Sequence, residues 1–89
     1  MARDFVKDPA AVLDYQFDWS AWLAGDTIAT HTVTATAGLT VGAHSHTNTA
    51  VTVWLEDGTA NQRYTVTCHI VTAGGREDDR SIEVTVMER

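Results

Sequence analysis

A single cysteine, Cys68, leaves this 89-residue chain unable to close an internal disulfide or to build a multi-cysteine zinc site. The fold must stand on packing alone, and synthesis in a cytoplasm suits it. The one proline, Pro9, lies ahead of every segment expected below to be a strand in the body of the chain, so none of them is interrupted. Basic residues are also scarce. Arg3, Lys7, Arg63, Arg76, Arg80 and Arg89 stand against twelve acids, for a net charge of −6 and a pI near 4.8. Phosphate backbones are gripped by clustered Lys and Arg, so nucleic acid is not an expected partner. There is no run of about 18 apolar residues to make a helical membrane span. The start, MARDFVKDP, has no apolar stretch of the kind a secretory signal needs.

Charge is missing locally as well. Between Asp26 and Glu56 there is no Asp, Glu, Lys or Arg, and the titratable groups of that stretch are His31, His44 and His46. Charge concentrates instead near the start, at LEDG, at GREDDR and at the end. A Thr-rich, uncharged stretch suits either of two situations: threonine hydroxyls solvating ordinary strands, or a face covered by a neighbour with little desolvation cost.

What is present is strand-forming. Fourteen threonines and many valines favour extended chain. In VLDYQFDW, Leu13, Tyr15, Phe17 and Trp19 alternate with Asp14, Gln16 and Asp18. Val51, Val53 and Leu55 alternate with Thr52 and Trp54. Tyr64, Val66, Cys68 and Ile70 alternate with Thr65, Thr67 and His69, and Ile82, Val84 and Val86 with Glu83 and Thr85. TIATHTVTAT changes parity between Ile28 and Val33, which predicts a bulge. In LTVGAHSHT, Leu39, Val41 and Ala43 are set against Thr40, Gly42 and His44. Turn signals separate these runs at Gly38, Asn48, Gly58 and Gly74–Gly75.

About seven short strands in one small chain predict an all-β, antiparallel Ig-like sandwich over residues 11–89, behind an N-terminal arm over residues 1–10. The arm is expected to order on docking through Phe5 and Val6. DWSAWLAGDTI predicts one helical turn near residues 19–24, with Asp18 or Ser20 capping its start and Gly25 closing it. Trp19, Trp22 and Leu23 then share one side of the turn and plug an end of the core. Tyr64 follows the turn DGTANQR into a strand, the position of a tyrosine corner.

Chemistry-bearing residues are few. His44 and His46 stand at i, i+2, the spacing at which two imidazoles can share a metal, but zinc needs three or four ligands. They are weak metal candidates, and no metal or other cofactor is expected. Together with His31 they would also gain charge near pH 6. Cys68 is in phase with core residues and has no nucleophile motif around it. REDDR, Arg76 to Arg80, lacks the spacing of a calcium loop and is expected to be a solvated hairpin tip. An enzyme is not expected. Trp54, opposite the core parity of its strand, is an interface candidate beside Phe5, Val6, His31, His44 and His46.

Three segments carry a resemblance: KDPAAVLDYQFDWSAWLAGDTI (7–28), VTVWLEDGTANQRYTVT (51–67) and TAGGREDDRSIEVTV (72–86). The chain resembles small bacteriophage virion proteins described as fiber–tail adaptor or minor structural proteins. The most specific piece is D-x-x-x-D-W-S-x-W-L-x-G-D-T-I, Asp14 to Ile28, and the middle, Thr30 to Thr49, departs most. The resemblance implies a non-enzymatic virion part, made in the host cytoplasm, present in several copies and contacting other virion proteins. An adaptor at the head–tail or tail–fiber joint is the first reading. A capsid decoration protein on the major capsid protein is the second, and a carbohydrate- or metal-binding module the third.

Overall fold

The computed structural model describes residues 3–88 and consists of two facing β-sheets. In chain order the elements are β1 (Arg3–Lys7), β2 (Leu13–Asp18), α1 (Ser20–Leu23), β3 (Ile28–Ala35), β4 (Leu39–His46), β5 (Ala50–Asp57), β6 (Gln62–Thr72) and β7 (Glu77–Val86). One sheet has the order β1-β7-β6-β3, the other β2-β5-β4. All pairings are antiparallel except β1 with β7. The expected all-β sandwich with one short helix is what forms.

The core follows from the alternations. Tyr15 and Phe17 of β2, Val51, Val53 and Leu55 of β5, Tyr64, Val66, Cys68 and Ile70 of β6, and Ile82, Val84 and Val86 of β7 are all buried in one cluster. Facing inner surfaces interleave in this way when each strand sends every second side chain inward.

The stretch read as an arm differs from expectation over its described part. Arg3–Lys7 pairs with Ile82–Val86 as an edge strand, and the Met87 amide donates to the Lys7 carbonyl at 2.9 Å. Phe5 turns inward, packing edge-on against Tyr15 with ring centroids 5.0 Å apart, while Val6 stays exposed. Lys7 is fully buried. Its ammonium donates to the carbonyls of Asp57 at 2.7 Å and Asp8 at 3.0 Å. A buried cation is tolerated only where it is hydrogen-bonded, and these two carbonyls take two of its three donors. The described part of this stretch is thus held on the chain's own sheet edge.

Two bulges set the face of the histidines. The one in β3, between Ile28 and Thr30, is that expected from the parity change. A second, in β4 between Val41 and His44, was not expected. Val41 pairs with Leu55, but beyond the bulge His44 pairs with Val53 and His46 with Val51. Directly paired residues share a face, so the bulge turns both histidines to the core side, opposite to the simple alternation.

The strand β2 ends at Asp18, one residue before Trp19, and α1 is a single turn. The Ser20 amide donates to Asp18 Oδ1 at 2.8 Å, but Trp19 is the N-cap residue and carries no side-chain cap. At the other end Ala24 takes the left-handed conformation (φ 49°) ahead of Gly25 (φ 95°), so the residue expected to close the turn is the second of two with positive φ. A turn this short cannot hold itself. Arg76 stabilises it from outside, donating Nη2 to the Leu23 carbonyl at 2.6 Å.

Candidate functional site

Three surface features bring the chemistry-bearing residues together: the open face of the three-stranded sheet, the seam between the edge strands β3 and β4, and the end closed by α1.

On the open face stands Trp54. It belongs to the middle strand β5, whose Val51, Val53 and Leu55 are fully buried, and the same alternation directs it outward, 41% exposed. Asp14 pairs with it across β2. On the β4 side lies Gly42, where a Cβ would meet Glu56 Oε2 at 2.7 Å and the Trp54 carbonyl oxygen at 3.3 Å. The missing side chain lets β4 approach closely beside the tryptophan. Of the other exposed large apolar residues, Val6, Val12, Leu13 and Met87, none lies on the middle strand of a sheet. A tryptophan so placed can do one thing well: anchor a contact that removes it from water.

At the seam, β3 is the edge of one sheet and β4 the edge of the other. His31 pairs with the fully buried Ile70 and so points across the seam at the two β4 histidines. His31 Nδ1 lies 2.6 Å from His46 Nδ1, and His31 Nε2 lies 2.7 Å from His44 Nδ1. The rings stand edge-to-face, with centroids 4.7 and 4.9 Å apart. Burial, then the charges of His46 and His44, holds the His31 imidazole below its ordinary pKa. The structure thus unites all three histidines of the uncharged stretch. His31 spends a different nitrogen on each partner, and no group of three or more ligating side chains among the described residues is arranged to hold a metal ion. The exposed residues beside the seam are mostly hydroxyl-bearing: Thr30, Thr32, Thr34 and Thr36 on the β3 side, and Thr40, Ser45, Thr47 and Thr49 on the β4 side.

At the α1 end, Trp19 and Leu23 are buried and Trp22 is partly buried against the core. Trp19 Nε1 donates to Asp78 Oδ2 at 2.9 Å, and the Arg80 guanidinium lies 5.0 Å from the Trp19 ring. Arg76 covers Trp22 at 4.3 Å. Asp26 gathers the Thr27 amide, the Gly74 amide and Arg76. Hydrogen bonding, the Thr72 hydroxyl first, lowers its pKa to about 2. The run REDDR is therefore not the tip itself, although Arg76, Glu77 and Asp79 remain exposed. The turn is Ala73–Gly75, β7 begins at Glu77, and the two arginines reach back over the tryptophans. Sequence reading missed Lys7, Asp26, Arg76 and Arg80 as structural partners. Their contacts span about 50 residues or more, for which a lone charged residue leaves no periodic signal.

Tyr64 is buried, and its hydroxyl accepts from the Thr59 amide at 2.8 Å, a bond across the β5–β6 turn. Cys68 is fully buried, and its thiol is pushed up to about 12 by burial, then by the Asp79 charge. Such a thiol holds almost no thiolate near neutrality. On the outer face of the four-stranded sheet, His69 sits between Asp79 (2.5 Å) and Glu77 (2.9 Å), and these bonds raise its pKa.

Among protein families, the one described as "Podophage GP4 fiber-tail adaptor protein gp77" matches residues 7–85, from the buried Lys7 to Thr85 in β7. No curated protein matches the chain.

Proposed function

Since the chain belongs to the podophage GP4 fiber-tail adaptor family, we propose that it acts without catalysis as a structural part of the virion, joining tail components through the face that carries Trp54. The observation that carries this reading is the outward Trp54 on a middle strand, 41% exposed. The uncharged edge strand β4 pairs with β5 beside Trp54 and continues that face through Thr40 and Ser45. Burying hydroxyls and neutral imidazoles against a neighbour costs far less than burying ions. The exposed acids Asp4, Glu77 and Asp79 would then remain in solvent.

The strand order β1-β7-β6-β3 against β2-β5-β4, with the Tyr64 hydroxyl bond, supports an Ig-like reading of the sandwich. The family description favours the adaptor over a capsid decoration role. Partners would be other virion proteins, in a ring or at a vertex, and the protein would be made in the host cytoplasm.

The test is assembly of phage carrying Trp54→Ser. A folded variant that is absent from purified particles, or present in particles lacking fibers, supports the reading. Incorporation at wild-type level with intact fibers overturns it. Copy number separates the two virion roles: about six or twelve per particle for a symmetric connector, against parity with the major capsid protein for decoration.

A further inference from the structure

The three imidazoles at the β3–β4 seam permit a proton count. Two contacts join them, His31 Nδ1 to His46 Nδ1 and His31 Nε2 to His44 Nδ1. Each contact is a hydrogen bond only if it holds one proton, because two bare nitrogens repel and two N–H groups clash. The nitrogens outside the contacts are Nε2 of His44 and Nε2 of His46, and both residues are exposed. Three neutral rings carry three protons: one in each contact and one on an outer nitrogen. A fourth proton fills the other outer nitrogen and leaves both contacts intact. A fifth has nowhere to go except into a contact, where N–H would face N–H at 2.6–2.7 Å.

We infer that this cluster is a proton-counting latch: it accepts one positive charge with the seam closed and parts when the second arrives. The capacity follows from His31 using both ring nitrogens, one toward each neighbour. Among the described residues, none that pairs with the three histidines offsets a second charge. β6 pairs Ile70 with His31 and Cys68 with Val33, and the Cys68 thiol stays neutral through this range. β5 pairs Val53 with His44 and Val51 with His46. Asp79 and Glu77 bond His69, whose partner on β3 is Thr32, the residue after His31, so both carboxylates belong to the opposite face of that sheet. From Thr27 to Leu55 there is no Asp, Glu, Lys or Arg.

The sign agrees. His31 is held below its ordinary value by burial and by its two neighbours. The folded chain therefore binds fewer protons there than the unfolded chain does below about pH 6.5. Its contribution to stability is complete above that pH and is lost as the pH falls through the lowered value. Breaking a contact releases one edge strand from the other and leaves most of the core untouched. The inference is independent of the adaptor reading and concerns the isolated protein.

The experiment is an NMR titration of the isolated chain from pH 8 to 4, reading histidine ring nitrogens alongside amide exchange protection factors. The second proton is expected about one pH unit or more below the first. Protection at Thr30–Thr34 and His44–His46 should fall about tenfold in that second step only. Both effects should vanish in His31→Phe or, should that variant not fold, in His31→Leu, since neither side chain can hold a proton between the two rings. The inference is overturned if the rings take both protons in one step, if the seam keeps its protection throughout, or if the two-step loss persists in the His31 variants.

Discussion

Replacing Tyr64 by Phe removes one oxygen and keeps the ring that packs in the core. The lost hydroxyl accepts the Thr59 amide at 2.8 Å, and among the described residues that amide has no other acceptor. A net hydrogen bond contributes about 0.5–1.5 kcal/mol, and stranding a partly buried N–H adds to the loss, so about 1–2 kcal/mol of destabilisation is expected. The hydroxyl also lies where a Cβ on Gly38 would come within 3.3 Å of it, so no large neighbour fills the space it leaves. At about 4–8 °C per kcal/mol for a domain of this size, the melting temperature should drop by roughly 5–15 °C. Urea unfolding followed by tryptophan fluorescence measures it, with an unchanged m-value indicating an unaltered fold. A midpoint equal to wild type would refute the reasoning: the β5–β6 turn would then be held by its backbone bonds and packing alone.

Four further outcomes follow from the same geometry. Leu23→Ala empties a fully buried site under α1 and should cost about 2–5 kcal/mol in the same unfolding assay. The Asp26 carboxyl should titrate near pH 2 by carbon NMR, and because its pKa is depressed, its contribution to stability persists above about pH 4 and fades only as the pH falls toward 2. His69 behaves oppositely. Its raised pKa stabilises the fold below about pH 6.5 and the benefit is lost as the pH rises through the raised value, so Asp79→Asn should bring its NMR midpoint down. Cys68 should resist thiol reagents in the native protein and react at full rate in denaturant, and rapid native labelling would contradict its burial.

Where the sequence alternated cleanly, the fold was legible. Tyr15 and Phe17, Val51 to Leu55, Tyr64 to Ile70 and Ile82 to Val86 all face inward as their period of two requires. Trp54 was legible for the same reason, being one step out of phase with Val53. Legibility failed where one residue breaks the period without a parity signal of its own. In β4 the bulge falls around Gly42 and Ala43, residues with too little side chain to mark a face, so His44 and His46 were assigned to the wrong side. It failed again at Arg3–Lys7, where a lysine takes the inward position that pattern reading reserves for apolar residues. The triple-histidine contact needed both the bulge and the pairing of the two sheets, neither of which is local. The arginines over Trp19 and Trp22 were hidden because charged residues after a Gly-Gly turn read as solvent-facing.

The burial of Lys7 bears on how this protein meets reagents and enzymes. It is the only lysine in the chain, and its amine is shut inside the fold between two carbonyls. Acylating labels, aldehyde fixatives and amine-directed cross-linkers therefore find no lysine handle on the native sandwich. Trypsin must begin instead at an arginine such as the exposed Arg63. In a chemically fixed particle its contacts would go unrecorded by lysine-directed chemistry, whereas carboxylate-directed coupling, with twelve acids to choose from, would report them.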